Sequence, residues 1–322
     1  MSTSIGQFQP AFSVVVPTYN RPEPLARCLR ALAAQDYPSE LLEVIVVDDG
    51  GEEDLTNVTS RFERVRLLRQ DNAGPAAARN AGAAVAENDW LAFTDDDCIP
   101  HPDWLLHIAS AVTRNRSALV GGYCLNALSN SLCAAASQLI LNVVHEHFNG
   151  DHDHAVFFPS DNMVVARQRF LEIGGFDERF RWSEDRDLCD RWASRGWPLI
   201  VEPRALVDHA HVMGLPGFLG QHFGYGRGAW RFHRARKARR AGHTRPQGSF
   251  YLKCFIVPFR TERVRRAVAL AGLMGFWQVA NTLGFLYQGL SEAMSGRKSH
   301  GMRSSSSGSA TGPPQSRAFT AD

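Results

Sequence analysis

Short runs of apolar, mostly β-branched residues alternate with Ala- and Leu-rich stretches through the first part of the chain. Apolar runs of this length are typical of buried strands, and they predict strands at 12–16, 43–47, 65–68 and 90–94. The stretches between them predict helices, of which the clearest are 22–35 and 76–87. Such alternation predicts an α/β fold, with a mostly parallel sheet covered by helices on both faces.

Polar residues follow three of these predicted strands: Pro17-Thr18-Tyr19-Asn20, Asp48-Asp49-Gly50-Gly51 and Asp95-Asp96-Asp97. In parallel sheets, ligands bind beyond the carboxyl ends of the strands, so these groups are expected to meet at one edge. If the strand geometry persists, Asp95 and Asp97 point to one side and Asp96 points away. Two carboxylates on one side fit Mg²⁺ or Mn²⁺, although a solvated acidic turn has the same composition.

A glycine turn precedes a helix in the segment NAGPAAARNAGA (72–83), which also carries Arg79. A helix start with a nearby arginine is suited to binding a diphosphate. The chain has neither GxxxxGK[ST] nor GxGxxG after a strand, which argues against a P-loop NTPase and a Rossmann dehydrogenase.

The segment 267–290 contains no charged residue and is long enough to cross a bilayer, and the basic run RTERVRR precedes it. It contains the polar residues Gln278, Asn281, Thr282 and Gln288, and positions 278, 281, 288 and 292 lie on one stripe. A helix that packs on another helix, or lies in the membrane interface, would use such a stripe. Membrane association is therefore predicted over a soluble core helix, with the choice between peripheral and single-span left open.

Charge is divided unevenly along a chain whose net charge is only +2. Residues 1–208 contain 18 Arg and 30 Asp or Glu, a net −12, and residues 209–322 contain 17 Lys or Arg and three acids, a net +14. This division predicts an acidic body and a basic part that faces an anionic membrane surface; nucleic acid is the less favoured partner. The six cysteines form no CxxC pair and are interpreted as reduced thiols.

Six motifs occur in order: VVVPTYNR (14–21), VIVVDDGG (44–51), NAGPAAARNAG (72–82), FTDDDCIP (93–100), GGFDERF (174–180) and SEDRDLCDRWASRGW (183–197). Together they resemble the family 2 glycosyltransferases of GT-A fold, over about two thirds of the chain. The resemblance implies a Rossmann-like sheet, an inverting enzyme, a nucleotide-diphosphate sugar donor, and Mn²⁺ or Mg²⁺ as cofactor. The acceptor would be a glycan or a lipid-linked molecule of the cell envelope.

The resemblance also implies site residues. The nucleotide-binding set is Pro17, Thr18, Tyr19, Asp48, Asp49, Asn72, Gly74 and Arg79. The metal-binding set is Asp95, Asp97 and His211, and His209 is a less favoured candidate than His211. Asp185 is the expected catalytic base, with Glu184 second, although these acids could simply favour the dipole of a helix at 185–196. Asn162 and Trp182 are expected in the sugar or acceptor pocket; for Asn162, an ordinary strand with a polar turn is the alternative.

The QxxRW motif of the family's processive synthases is absent, since Asp190-Arg191-Trp192 lacks the Gln. We therefore expect one sugar to be added per acceptor. A nucleotidyltransferase, or a catalytically silent sugar-nucleotide-binding protein, is the alternative. A nucleotidyltransferase would favour a Gly-rich, Lys-bearing loop, which is missing here. A silent binding protein would favour a broken DxD or ED pair, and both pairs are intact.

The sequence divides into four predicted regions. Residues 1–11 are an N-terminal extension, 12–212 a GT-A domain, 213–302 a basic and apolar helical region that associates with membrane, and 303–322 a disordered tail. No secretory signal is apparent at the N-terminus, so the expected location is the cytoplasmic side of the cell membrane.

Overall fold

The computed structural model describes residues 9–128, 130–239 and 248–304. The predicted tail from 305 onward, most of the predicted N-terminal extension, and part of the basic segment 226–245 lie outside these residues. The predicted strands, and the helices predicted at 22–35, 76–87 and 185–196, agree with the observed ones to within two residues at each end, whereas the apolar segment 267–290 lies inside a longer helix.

Eight strands form one sheet in the order β3-β2-β1-β4-β7-β6-β8-β5. Their bounds are β1 Phe12–Thr18, β2 Leu42–Asp48, β3 Val65–Arg69, β4 Trp90–Phe93, β5 Cys98–Pro100, β6 Leu119–Asn126, β7 Met163–Ala166 and β8 Leu199–His209. The first four strands in the sheet order are parallel to one another, as predicted. β7 runs antiparallel to both of its neighbours, so the sheet is mixed in its second half.

Ten helices flank the sheet in the described part of the chain. Their bounds are α1 Pro22–Ala33, α2 Thr56–Thr59, α3 Pro75–Val85, α4 Trp104–Arg114, α5 Leu132–Asn149, α6 Arg167–Glu172, α7 Glu184–Ser194, α8 Leu215–Ala238, α9 Gly248–Thr261 and α10 Val264–Ser304. Proline begins α1 and α3, where its missing N–H has no intrahelical acceptor to bond.

The sheet is buried on both faces, because successive β1 side chains enter different cores. Val14 and Val16 pack with α1, through Leu25 and its neighbours, and Val15 packs with the alanines of α3. This two-sided burial explains why the strands are continuous apolar runs rather than alternating ones.

A third core joins α5 to the C-terminal helices. Two glycines allow α8 and α10 to approach closely: a Cβ on Gly226 would lie 1.9 Å from the carbonyl oxygen of Asn281, and one on Gly284 would lie 2.0 Å from that of Phe223. Gln288 of α10 is buried and accepts a hydrogen bond from Arg227 at 2.9 Å. Gln288 of the predicted polar stripe therefore faces α8, and Gln278 and Asn281 of the same stripe line a large cavity.

The opposite face of α10 is apolar and exposed, from Val264 through Val268, Phe276, Val279, Leu283 and Leu290 to Met294. These positions are separated by three, four, seven or eight residues, which places them on one side of the helix. Within the described residues, Val264–Met294 is the one segment long and apolar enough to cross a membrane by length and composition, and 28% of its most apolar window is buried. The helix thus presents one apolar face to the protein and another to its surroundings.

Candidate active site

The carboxyl ends of β1, β2 and β4 meet at one edge of the sheet. Thr18 and Asp48 are directly paired in register, and the Asp49 N–H donates to the carbonyl of Thr18 at 2.9 Å. The predicted convergence of the three polar segments follows from this parallel pairing.

Asp49 fixes the loop that leads into α3. Its carboxylate accepts hydrogen bonds from the N–H groups of Ala73 and Gly74, both at 2.9 Å, and from the Gln70 side chain at 2.7 Å. Gly74 has φ +94°, a conformation that favours glycine, and a Cβ there would meet open space. Asn72 beside it is exposed.

Asp48 is buried and accepts a hydrogen bond from the Gly51 N–H at 2.8 Å, so it stabilises the turn after β2. Pro17, Thr18, Tyr19 and Asp49 line the large cavity at this edge, whereas Asp48 does not. The exposed Tyr19 ring offers a flat surface at the rim.

The three aspartates after β4 do not alternate as a strand would. β4 ends at Phe93, and the turn that follows directs Asp96 and Asp97 to the same partner, Arg21, at 2.8 and 2.7 Å. The predicted alternation depended on the strand continuing through Asp97, and this condition is not met. Asp95 pairs elsewhere, with Arg79 at 2.6 Å.

Arg21 is a site residue that the sequence analysis missed. Its guanidinium neutralises Asp96 and Asp97, and Thr18 donates to Asp96 at 2.7 Å. Burial nevertheless raises the pKa of Asp96 to about 7. The available signal was the position of Arg21 at the end of the VVVPTYNR motif, directly after a strand end.

Both predicted histidines contact Asp97. The nearest distances are 3.2 Å from His209 Nε2 to Asp97 Oδ1 and 3.0 Å from His211 Nδ1 to Asp97 Oδ2. Despite burial, these histidines and Arg21 hold the pKa of Asp97 well below its usual range. Burial lowers the pKa of His209, but its contact with Asp97 and the nearby carboxylates outweigh that effect and raise the pKa to about 9. An ionised carboxylate with two imidazoles is a donor set that fits Mn²⁺ or Mg²⁺ completed by phosphate oxygens.

Asp97, Cys98 and His209 also form a group whose ligand atoms lie within 4.8 Å of one another. Burial raises the pKa of the Cys98 thiol well above its ordinary value, which disfavours the thiolate needed for metal binding. The oxygen and nitrogen ligands therefore fit a hard cation better than this thiol does.

Glu184 and Asp185 begin α7, after Ser183 in the left-handed conformation with φ +68°. Glu184 is buried and accepts from Arg79 at 3.0 Å. Asp185 is half-buried at the cavity wall, and its carboxylate accepts from the Arg186 N–H at 2.7 Å. Burial and the neighbouring Glu184 raise the pKa of Asp185, which strengthens it as a proton acceptor once ionised.

Arg79 links the two acidic groups. Its side chain is buried, with one terminal nitrogen on Asp95 and the other on Glu184, while its Nε has no partner among the described residues. The nearby carboxylates raise the pKa of Arg79 against the opposing effect of burial. In this structure the predicted nucleotide-binding arginine therefore holds the DxD and ED segments together.

One cavity of about 1240 Å³ contains these groups. Asp95, Asp97, Glu184 and Asp185 line it on the sheet side, and Trp182 lines it between the sheet and α8. The guanidinium of Arg227 lies 5.2 Å from the Trp182 ring, and Gly224 leaves room for that ring. The volume exceeds that of a typical single-ligand pocket, which reaches roughly 1,000 Å³.

Asn162 does not line the cavity, which corrects its assignment to the sugar or acceptor pocket. Its side chain is fully buried, donates to the carbonyls of Tyr123 and Ala205, and accepts from the Trp104 indole at 2.9 Å. A buried amide that joins three elements of the core serves the fold. Its neighbour Asp161 lines the cavity instead.

The histidines at 145–154 form no metal-binding group among the described residues. His145 is buried in α5, with its ring 4.1 Å from that of Tyr123, and burial lowers its pKa to about 4. His145 therefore belongs to the packed core beside α5 rather than to a metal site.

Residues 13–147 match the family model described as glycosyl transferase family 2. The pre-mycofactocin glycosyltransferase of Mycobacterium tuberculosis is 30% identical over 221 residues, covering 66% of this chain and 46% of that protein. The validoxylamine A glucosyltransferase of Streptomyces hygroscopicus subsp. limoneus is 37% identical over 225 residues, covering 60% and 50%. The chain thus spans about half the length of these relatives.

A solved mannosyltransferase from Pyrobaculum calidifontis, in complex with GDP-Man and Mn²⁺, superposes with a TM-score of 0.61. The likeness covers 87% of this chain and 88% of that one at 18% identity. These matches confirm the predicted family resemblance and the predicted GT-A fold.

Proposed function

Because the chain belongs to glycosyl transferase family 2 and has the GT-A fold, we propose that it transfers a single sugar from a nucleotide-diphosphate sugar to an acceptor hydroxyl, with inversion. The observation that carries this proposal is the single cavity containing Asp95, Asp97, Glu184 and Asp185. It would supply a cation site and a proton acceptor within one space that is large enough for a donor and an acceptor together.

The nucleotide would lie along the carboxyl ends of β1 and β2, against Pro17, Thr18, Tyr19 and Asp49. The N–H groups of Ala73 and Gly74 are already bound by Asp49. Asp49, Asp48, Asn72 and Gly74 would therefore act by shaping this loop. The GDP-Man bound to the mannosyltransferase and the UDP-GlcNAc bound to TarS of Staphylococcus aureus support a nucleotide-sugar donor without fixing which one.

Asp95 and Asp97, with His211 and His209, would hold the Mn²⁺ or Mg²⁺ ion. The bound cation would neutralise the negative charge that develops on the departing diphosphate. Arg21 and Arg79 now contact these aspartates and supply positive charge at the same place.

Asp185 would act as the base. The acceptor oxygen bonds to the anomeric carbon on the face opposite the diphosphate, and its proton passes to the Asp185 carboxylate. The bond from that carbon to the diphosphate oxygen breaks, and the electron pair leaves with the nucleoside diphosphate. One displacement of this kind inverts the anomeric configuration. Glu184, bound to Arg79, is the less available proton acceptor.

Arg191 and Trp192, the residues closest to the motif of processive synthases, serve the fold. Arg191 donates to the carbonyls of Ile173 and Gly175 at 3.0 and 2.7 Å, and Trp192 is fully buried. Their placement supports the proposal that one sugar is added per acceptor.

We assign residues 12–212 to the catalytic domain and 213–302 to a helical region that binds an anionic membrane surface from the cytoplasmic side. The outward apolar face of α10 supports this role. Since the other face of α10 packs on α8 and α5, a peripheral position in the plane of the membrane fits better than a span.

The decisive experiment is donor hydrolysis screened over a panel of nucleotide sugars, with and without Mn²⁺. We expect one donor to be hydrolysed in the presence of the ion and to be spared in EDTA. The Arg195→Gln variant is the control for loss of an arginine outside the site, and it should hydrolyse the same donor as the wild type, because this exposed residue pairs with Glu172 outside the cavity. Failure to bind or hydrolyse any donor would refute the proposal.

A further inference from the structure

The cavity continues beyond the catalytic carboxylates into a region enclosed by α5 and the C-terminal helices. This half is walled by apolar and aromatic side chains, among them Ile140, Val144, Phe232, Phe250, Trp277 and Phe285. The nucleotide sugar is assigned to the sheet side of the cavity, against Pro17, Thr18 and Tyr19, so it does not occupy this wall. The wall therefore fits an apolar part of the second substrate.

Arg186 lies in this half, directly after the proposed base. Its guanidinium packs 4.4 Å from the Phe232 ring and has no hydrogen bond or salt bridge among the described residues. Other arginines nearby are paired: Arg236 lies 3.1 Å from Asp190, and Arg239 lies 2.7 Å from both Asp187 and Asp190. Arg186 is thus a cation that faces the cavity without a bonded partner.

The C-terminal helices around this arginine offer no counter-charge of their own. Residues 209–261, which supply α8, α9 and the connection between them, contain no Asp or Glu. Burial lowers the pKa of Arg186, and this effect outweighs the opposing charges of Asp185 and Asp190 on its own helix. A bound anion with several oxygens would offset that cost and match the planar guanidinium.

We infer that the acceptor is an amphiphile carrying a phosphate group, which Arg186 binds, and an apolar chain, which lies along the wall formed by α8, α9 and α10. This inference rests on the proposed function and names the class of its acceptor. The exposed apolar side chains of α9 and α10, such as Phe259 and Leu283, would hold these helices against the bilayer that contains such a lipid.

A second group in the cavity suits the acceptor's polar part. His222 is 97% buried, lines the cavity, and neither ring nitrogen has a hydrogen-bond partner among the described residues. Burial lowers its pKa to about 4, so the ring is neutral at pH 7 and can bond a hydroxyl. Gln221 beside it has a buried carbonyl oxygen without a partner.

The test is to titrate the full chain separately with farnesyl phosphate, farnesol and inorganic phosphate, with both lipids below their micelle concentrations. Binding is measured by calorimetry and by tryptophan fluorescence. Farnesyl phosphate should bind more tightly than either of the others. Arg186→Gln should weaken its binding about tenfold, a loss typical of one charge-assisted contact. Arg186→Lys should be intermediate, and Arg195→Gln should match the wild type.

Equal binding of farnesyl phosphate by wild type and both Arg186 variants would overturn the role of Arg186. If inorganic phosphate binds as tightly as farnesyl phosphate, the proposed role of the apolar wall is wrong. If farnesyl phosphate does not bind, the proposed acceptor class is wrong. Donor hydrolysis by the wild type, measured in parallel, separates the two proposals. Its failure with farnesyl phosphate binding intact would refute the proposed function alone.

Discussion

Gly284→Ala should loosen the attachment of α10 to the catalytic domain. The added Cβ would lie 2.0 Å from the carbonyl oxygen of Phe223 and 2.8 Å from its carbonyl carbon. Ordinary Cβ contacts begin at 3.4 Å, so the helices must separate by the difference, about 1.4 Å, at this point. Since both atoms belong to the α8 backbone, no side chain can rotate away to relieve the contact.

The expected cost is about 1–3 kcal/mol, typical of inserting a methyl group into a well-packed contact. Alanine also stabilises a helix interior by about 1 kcal/mol relative to glycine, which opposes this cost. Gly275→Ala on the same helix isolates the two effects, because a Cβ there meets nothing within 4 Å. The difference between the two variants therefore measures the interhelical contact alone.

Thermal unfolding of both variants gives the measurement. Gly284→Ala should unfold roughly 2–12 °C below Gly275→Ala, at about 2–4 °C per kcal/mol for domains approaching this size. Gly226→Ala, on the facing helix, should also lower the melting temperature, since its Cβ would lie 1.9 Å from the carbonyl oxygen of Asn281. Equal melting temperatures for Gly284→Ala and Gly275→Ala would show that α8 and α10 do not pack as described.

Three further predictions concern the site and the membrane. Asp97→Ala should abolish turnover and Mn²⁺-dependent nucleotide binding, measured by calorimetry; full wild-type activity in EDTA would contradict the cation site. Asp185→Asn should lower kcat with little change in donor affinity, and wild-type kcat should fall as pH drops through the raised pKa of Asp185, because the base must be ionised. An acid limb near pH 4, the ordinary range for aspartate, would contradict this assignment. Val279→Glu with Leu283→Glu should release the full chain from anionic vesicles in sedimentation assays; unchanged binding would exclude the outward face of α10 as the membrane contact.

The sequence was sufficient to predict the elements around β1, β2 and β4, because local pattern determines them. Val15 and Val16 are buried on opposite faces, so each strand must be apolar throughout. The reversal of β7 could not be predicted, since the four-residue run Met163–Ala166 is equally compatible with either direction. Its direction depends on where α5 returns the chain, which is a tertiary property.

The position of a site residue was predictable where a single sequence motif determines it. The role of a residue was less predictable where it depends on which distant side chain that residue contacts. Asn162 stands in a polar segment, yet its amide satisfies the Trp104 indole from another helix. Arg79 was expected to bind the donor, and it bridges Asp95 and Glu184, which are 89 positions apart in the chain. No local pattern contains these pairings.

Residues 1–208 have a net charge of −12 and residues 209–322 a net charge of +14. This contrast overstates the positive charge that is available to bind an anionic membrane. Arg236 and Arg239 pair with acids of α7, and Arg234 pairs with Glu292 of α10. The exposed arginines at the α9–α10 junction are Arg260, Arg263 and Arg265, which at about 1 kcal/mol each contribute about 3 kcal/mol on an anionic leaflet.

The outward face of α10 offers a larger contribution. From Val264 to Met294 it carries apolar side chains that are more than half exposed, including Phe276 and Leu290. Full burial of one such side chain stabilises by about 1.5–3 kcal/mol, so partial burial of several exceeds the electrostatic share. Apolar insertion does not weaken as salt screens the leaflet. We therefore expect vesicle binding to persist at high salt, and complete release by salt alone would mean that the arginines, rather than α10, hold the protein at the membrane.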